Sequence, residues 1–275
     1  MRPAVSVVVN VMDIICRARS GAVLEEFQLG DKDMDARQEA RADLAAVLRW
    51  SARLGFNEGI DNHYSVLVPG TEDRFIINPH RRHWYDICAS DLVEIDVDGN
   101  LVVGDQPPEP TAFYIHWRIH VNCPQARAIL HTHMPYATSL TAIAGARLEP
   151  IVQPALKFHN QIAYDDAYNG LATDVAEGDR LAGALKDKRV AMLANHGVIA
   201  TGPSVAHAFN DLYYLERAAQ AQVLALSTGQ ELQRIPQDVC ARTFEQMQDD
   251  RDDQSVRHLA EIKRILNKEE PDYKE

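Results

Sequence analysis

Ala126-Arg127-Ala128-Ile129-Leu130-His131-Thr132-His133 places two imidazoles two residues apart at the end of an apolar run. In a β-strand, side chains at i and i+2 point to the same face, so both rings reach one point. Two neutral imidazoles on a common point suit a divalent metal ion. A third histidine, in Asn195-His196-Gly197, follows a second apolar run, Val190-Ala191-Met192-Leu193-Ala194. Taken singly, each is a strand-end residue hydrogen-bonded in place. Taken together, His131, His133 and His196 form a facial metal site with positions left open for substrate.

The chain has 275 residues, 46% hydrophobic and 25% charged, with a formal charge of −12 from 40 acidic and 28 basic residues. That length suits one large domain or two small ones with a real core. The acidic balance argues against a nucleic-acid footprint and does not steer an anionic substrate, so any anion site is local. The four cysteines, Cys16, Cys88, Cys123 and Cys240, lie far apart without a C-x-x-C pair. They read as reduced thiols of a cytoplasmic protein. The apolar run Val5 to Cys16 is broken by Asn10 and Asp13 and is too short to span a bilayer, so no membrane partner is expected.

Residues 1–32 read as an N-terminal extension, 33–245 as one α/β domain and 246–275 as an acidic linker with a C-terminal helix. The spacing of Ala40, Leu44, Val47, Leu48 and Ala52 predicts a helix over 33–54 that Gly55 stops. Strand-like runs occupy 63–68, 74–78, 92–96 and 101–103, the last two joined by the turn signal Asp98-Gly99-Asn100. A Pro-rich loop leads to a helix over 111–121 capped by Thr111, and strand 126–131 follows it. Helices over 136–143, 171–185, 204–226 (capped at Ser204) and 255–267 and a buried strand over 190–195 complete the reading.

Several ordered motifs then coincide: Glu58-Gly59-Ile60-Asp61-Asn62-His63-Tyr64-Ser65, Ile77-Asn78-Pro79, Ala89-Ser90-Asp91-Leu92-Val93, Asp98-Gly99-Asn100, the H-x-H at 131–133, Asn195-His196-Gly197-Val198 and Leu215-Glu216-Arg217. From about Ala40 to Leu226 the chain resembles the class II aldolase/adducin-head family. The resemblance implies a three-layer α/β/α fold with a mostly antiparallel central sheet. It also implies a homotetramer with sites between subunits, and one divalent ion (Zn, Mn, Fe or Co) per chain on His131, His133 and His196.

The departures are as informative. Sugar-phosphate aldolases of the family carry a Ser-Ser-Glu segment after a proline, whose Glu serves as acid and base. Here the segment is Pro110-Thr111-Ala112-Phe113, with Ala112 replacing the carboxylate, and Glu109 lies before the proline outside the helix. The loop that builds the family's phosphate pocket is here Asn78-Pro79-His80-Arg81-Arg82-His83-Trp84. Its bulky cations would fill a phosphate cradle, but Arg81 and Arg82 could clamp a carboxylate through the guanidinium fork.

Among the remaining residues, His116 and His120 share one face of the helix over 111–121. His116 is the candidate general acid or orienting group, against an equal reading as a packed interface residue. His120 reads as structural. His63 is a substrate-pocket candidate. Gln153 and Phe158 lie in a segment that the resemblance brings toward a neighbouring subunit, Phe158 as an apolar wall for an aromatic substrate. Tyr168, before Asn169-Gly170, reads as closing a loop. Glu216 reads as structural, and Trp50, Trp117 and Phe209 as core or interface.

These observations favour a metal-dependent carbon–carbon lyase, foremost a decarboxylase of a small hydroxylated aromatic or 2-oxo carboxylate, because decarboxylation has a smaller requirement for a carboxylate base and needs only a proton donor afterwards. An aldolase on an unphosphorylated hydroxy-oxo acid and a three-histidine non-haem iron oxygenase are the enzymatic alternatives. A non-catalytic scaffold resembling the adducin head ranks below them, because the chain keeps all three histidines.

Overall fold

The computed structural model describes residues 31–275, and the expected extension over 1–32 lies outside the described residues except for its last two positions. Helix α1 (Asp31–Leu54) buries Leu44, Val47 and Leu48. It ends at Gly55, whose φ of 69° is reached without strain only by glycine. Four strands follow, β1 (His63–Leu67), β2 (Arg74–Ile77), β3 (Val93–Asp96) and β4 (Leu101–Val103). The β3–β4 turn closes as expected, with Asp96 Oδ1 accepting the backbone N–H groups of Asp98 and Asn100 at 3.0 and 2.8 Å. Then come α2 (Pro110–Asn122), β5 (Ala128–Thr132), α3 (Pro135–Thr141), α4 (Gln153–Leu156), β6 (Ile162–Asp165), α5 (Val175–Leu185), β7 (Val190–Leu193), β8 (Gly197–Gly202), α6 (Val205–Leu226), α7 (Gln237–Gln248) and α8 (Arg251–Glu269).

The strands form one eight-stranded sheet in the order β4-β3-β2-β1-β5-β8-β7-β6, antiparallel throughout except for the β6–β7 pair. Strand alternation sorts its side chains onto two faces. Ala128, Leu130, Met192 and Val198 share a core with α1, α3, α6 and α8, whereas Ile129, Ala191, Leu193 and Ile199 pack on α2 and α5. Phe75, Ile77, Val93 and Ile95 extend the second core toward Ala112 on α2. The result is the three-layer α/β/α architecture with a mostly antiparallel sheet.

Local differences have local causes. Glu109, not Thr111, caps α2: its carboxylate accepts the Ala112 N–H at 2.9 Å, with Pro110 in the first turn. The helix expected from 171 starts at Val175, where Asp174 accepts the Glu177 N–H at 2.9 Å, and leaves Leu171 exposed. The acidic run is no free linker: Asp252 and Asp253 occupy the first turn of α8, and Leu259, Ile262 and Leu266 of that helix belong to the main core. Elements α4, β6, β8 and α7 have no counterpart in the sequence reading.

Glu216, read from sequence as structural, has a defined task. From α6 its buried carboxylate accepts the N–H groups of Tyr136 and Ala137, each at 2.8 Å, and so anchors the start of α3 just beyond His133. Burial raises its pKa, and the two backbone donors counter that rise. Glu216→Ala leaves two inward N–H groups unpaired and should lower unfolding stability by about 2–3 kcal/mol, with Glu216→Gln recovering part of the loss. Urea midpoints for the three proteins check this; coincident midpoints for wild type and Glu216→Ala would remove the anchor role.

Candidate metal centre

His131 sits near the end of β5, His133 just past it and His196 in the β7–β8 turn, where Asn195 takes a φ of 56°. One ligand atom from each of the three lies within 4.8 Å of the others. Ring orientation is set from behind. His131 Nδ1 donates to the Val198 carbonyl at 3.0 Å, and His133 Nδ1 meets the Glu58 carboxylate. His133 Nε2 is buried without a hydrogen-bond partner among the described residues. Burial, and secondarily the neighbouring imidazoles, pushes the pKa of His131 well below the usual imidazole range and that of His196 to about 4. The neutral rings of His131 and His196, with the unpartnered Nε2 of His133 and its outer carboxylate, make a donor set that suits a divalent ion. The three residues therefore fit Zn, Mn, Fe or Co, and three imidazoles do not choose among them.

The group opens into a cavity of about 550 Å³ that is also lined by His63, Asn62, Asn78, His80, Arg81, Glu109 and Leu171, among others. Asn62, at φ 74°, turns its Oδ1 onto the Glu58 N–H at 2.9 Å, which shapes the loop carrying Glu58. Asn78 Oδ1 accepts the Tyr64 N–H at 2.8 Å and ties the Arg81 loop to β1. That loop is further held by Trp84, buried 4.5 Å from the Tyr64 ring, and by Arg49, which donates to the Ile87 carbonyl at 2.8 Å and to Asp272 at 2.7 Å.

The structure divides the expected substrate residues. His63 and Arg81 face the cavity, Arg81 exposed and at φ 59°. Arg82 does not line it: its guanidinium pairs with Asp91 at 2.5 Å. Gln153 lines a separate cavity beside Lys157 and Tyr214, and Phe158 is part of the main core. Within one chain neither meets the three histidines. His116 is fully buried and does not line the cavity; its Nε2 lies 2.7 Å from His63 Nδ1, so it acts on the cavity only through His63. Glu109 does line the cavity, but its carboxylate is engaged by Thr111 and the Ala112 N–H.

Sequence reasoning missed Glu58, whose role rests on a contact with His133 across the fold, and Asn62, whose position before His63 in a run of turn-forming residues was the available signal. It also read Tyr168 as loop closure, whereas the half-exposed ring stands 6.1 Å from that of His196. Exposed Leu171 and Ile60 add apolar surface at the same mouth.

Residues 42–223 match the Class II Aldolase and Adducin N-terminal domain. The chain belongs to that family. A Caulobacter vibrioides protein named "Putative aldolase class 2 protein" is 35% identical over 211 residues, covering 76% of this chain and 80% of its own. Decarboxylase NovR of Streptomyces niveus is 31% identical over 205 residues, covering 74% of this chain and 75% of its own. The crystal structure of an aldolase II superfamily protein from Pseudomonas syringae superposes with a TM-score of 0.82 at 33% identity, covering 91% of this chain and 99% of that one. The family assignment makes the three-histidine geometry a site to be tested as a metal centre.

Two predictions follow from the packing. A Cβ at Gly197 would lie 2.6 Å from His133 Cδ2 and 2.7 Å from the Thr132 carbonyl oxygen. Gly197→Ala must displace His133 and should weaken metal affinity by about 10- to 100-fold with the fold retained. Competitive chelator titration reads this, and unchanged affinity would dissociate His133 from the centre. Burial also lowers the pKa of His120 to about 3, with the Arg127 charge adding to the effect. Since the folded value lies below the unfolded one, the stability it contributes is complete above about pH 6.5 and is lost as pH falls toward 3. In metal-free protein, His120→Gln should flatten the pH slope of unfolding free energy between pH 6 and 4 by up to about 1.4 kcal/mol per unit. An unchanged slope would show that His120 is not buried as a neutral ring.

Proposed function

We propose that this protein is a divalent-metal-dependent carbon–carbon lyase that decarboxylates a small hydroxylated aromatic or 2-oxo carboxylate. The observation that carries the reading is the presence of three convergent imidazoles and a cavity-facing arginine, Arg81, around one opening. The named decarboxylase among the relatives supports it. His131, His133 and His196 would hold the ion. Once bound, the ion supplies a Lewis acid for negative charge on a substrate oxygen.

The chain's own residues then have distinct tasks. The guanidinium of Arg81 receives the substrate carboxylate in a fork. Glu58 and the Val198 carbonyl hold two imidazoles in place. Tyr168, Leu171 and Ile60 offer apolar surface to a planar substrate. On decarboxylation the electron pair of the broken bond stays on the substrate carbon, which takes a proton in place of carbon dioxide, so no carboxylate base is required. This accords with Glu109 being engaged as a helix cap. We retain the homotetramer in the reading, because Gln153 and Phe158 contribute to a substrate site only if a neighbouring subunit brings them there.

The test is metal analysis of purified protein together with a screen of hydroxybenzoates and 2-oxo acids that records carbon dioxide release and oxygen uptake. About one ion per chain and carbon dioxide release without oxygen consumption are expected. His131→Ala should abolish both metal and turnover. Arg81→Ala should raise KM by about 10- to 100-fold, the equivalent of a charge-assisted contact, with a much smaller change in kcat. Turnover by metal-free His131→Ala protein would overturn the reading. Oxygen uptake would replace it with an iron oxygenase, and aldehyde release with an aldolase.

A further inference from the structure

Behind the three-histidine group runs a second set of imidazoles that the metal centre does not use. His63 Nδ1 lies 2.7 Å from His116 Nε2, and His116 Nδ1 meets Ser65 Oγ. Ser65 Oγ lies 2.8 Å from His120 Nε2, and His120 Nδ1 lies 2.8 Å from the carbonyl oxygen of Ala126. All four side chains belong to residues no more than 8% exposed. Among the described residues no carboxylate takes part in the chain of contacts, and rings so buried without an anionic partner stay neutral.

One atom then determines every hydrogen. A carbonyl only accepts, so His120 Nδ1 carries the hydrogen and its Nε2 is a lone pair. That lone pair must receive the Ser65 hydroxyl hydrogen. The hydroxyl has no second hydrogen, so its oxygen accepts from His116 Nδ1–H. His116 Nε2 is therefore a lone pair and accepts from His63 Nδ1–H. The only nitrogen left over is His63 Nε2, without a hydrogen, on the ring edge away from His116. His63 lines the cavity, its ring 4.8 Å from that of His131.

We propose that the Ala126–His120–Ser65–His116 chain is a tautomer lock that fixes His63 with Nε2 as a hydrogen-bond acceptor on the cavity wall, selecting ligands that carry a hydroxyl donor there. His63 is the residue that touches the ligand; His116, Ser65 and His120 are positioning residues. The lock stands on the hydrogen bonds and the burial of the rings, and only its assignment to a hydroxylated carboxylate rests on the lyase reading. Free histidine favours the Nε2–H tautomer, which would present a donor at this place and repel a hydroxyl hydrogen. The lock inverts that preference.

The first test is a long-range ¹H–¹⁵N spectrum of the ¹⁵N-imidazole-labelled full chain, recorded metal-free and with Zn(II). His63, His116 and His120 should all be Nδ1-protonated, neutral rings. An Nε2-protonated His63 would overturn the lock, and wild-type protein suffices for this outcome. In Ser65→Ala protein the His63 and His116 signals should shift toward mixed tautomers, and Ser65→Thr should restore them.

The second test titrates the Zn(II) form with 2-, 3- and 4-hydroxybenzoate and their methyl ethers by calorimetry. At least one phenol should bind about 3- to 10-fold tighter than its ether, the value of one neutral hydrogen bond, and that ratio should fall to about one in His63→Phe protein. A correct tautomer with no phenol-over-ether preference would overturn the selective role and leave the lock. Absence of carbon dioxide release would instead count against the lyase reading, since neither spectrum nor calorimetry depends on turnover.

Discussion

Strand β5 lies between β1 and β8, and the register of those two pairings fixes the site. His131 sits opposite His63 on one side and Ile199 on the other, while Thr132 faces Val198. A slip of β5 by one residue would turn His131 toward α1 and α6 and drive Leu130 outward onto α2. Both faces of the sheet are packed, so such a slip would bury its imidazole against Leu44, Phe209 and Leu212 with no acceptor for its nitrogens. Apolar alternation that builds two cores thus also aims the histidines. The Thr132 hydroxyl, bonded to the Phe56 carbonyl, adds a polar lock at the strand end.

The same burial sets the electrostatics. The chain carries a formal charge of −12, yet the cavity floor is made of imidazoles that desolvation keeps uncharged. Arg81 at the rim does not share the ion pair that engages Arg82, so its guanidinium is a local positive charge at an opening that Asp61 and Glu109 also line. Such an arrangement admits an anion by local geometry, since the overall field would repel it. Holding that loop falls to uncharged anchors as well as charged ones: Trp84 in the core, Asn78 on β1 and Arg49 bridging to Asp272.

What was legible in sequence followed periodicity and punctuation. The helix through Leu44 and Leu48, the Gly99 turn and the apolar run into His131 each carry a local signal strong enough to survive folding. His131 and His133 were legible because strand geometry brings i and i+2 together, and His196 because a second apolar run leads to it. Four residues of α4 or β6 are too few to show a period, and β8 begins at Gly197 straight after the turn that carries His196, so the turn hid the hairpin. Thr111 looked like a cap until Glu109, one residue before the proline, reached the Ala112 N–H first. Glu58, Arg82 and Phe158 depended on contacts or backbone turns that no local pattern encodes. Phe158 reads as a pocket wall in isolation, yet it joins the core because α4 packs on α6.

One rule unites three of the imidazoles around the opening. His131 is tied through Nδ1 to the Val198 carbonyl, His133 through Nδ1 to the Glu58 carboxylate, and His63 through Nδ1 to His116. In each, the nitrogen nearer the backbone is taken by an acceptor behind the ring, which leaves Nε2 as the atom offered forward. A carbonyl in a sheet ladder cannot rotate away, so the orientation of His131 is as rigid as the β5–β8 pairing itself. Glu58 sits on a loop shaped by Asn62 and is largely exposed, so His133 is the ring whose orientation can yield. That asymmetry explains why glycine is required at 197, directly against His133: the backbone closes from one side the space that a flexible carboxylate leaves open on the other.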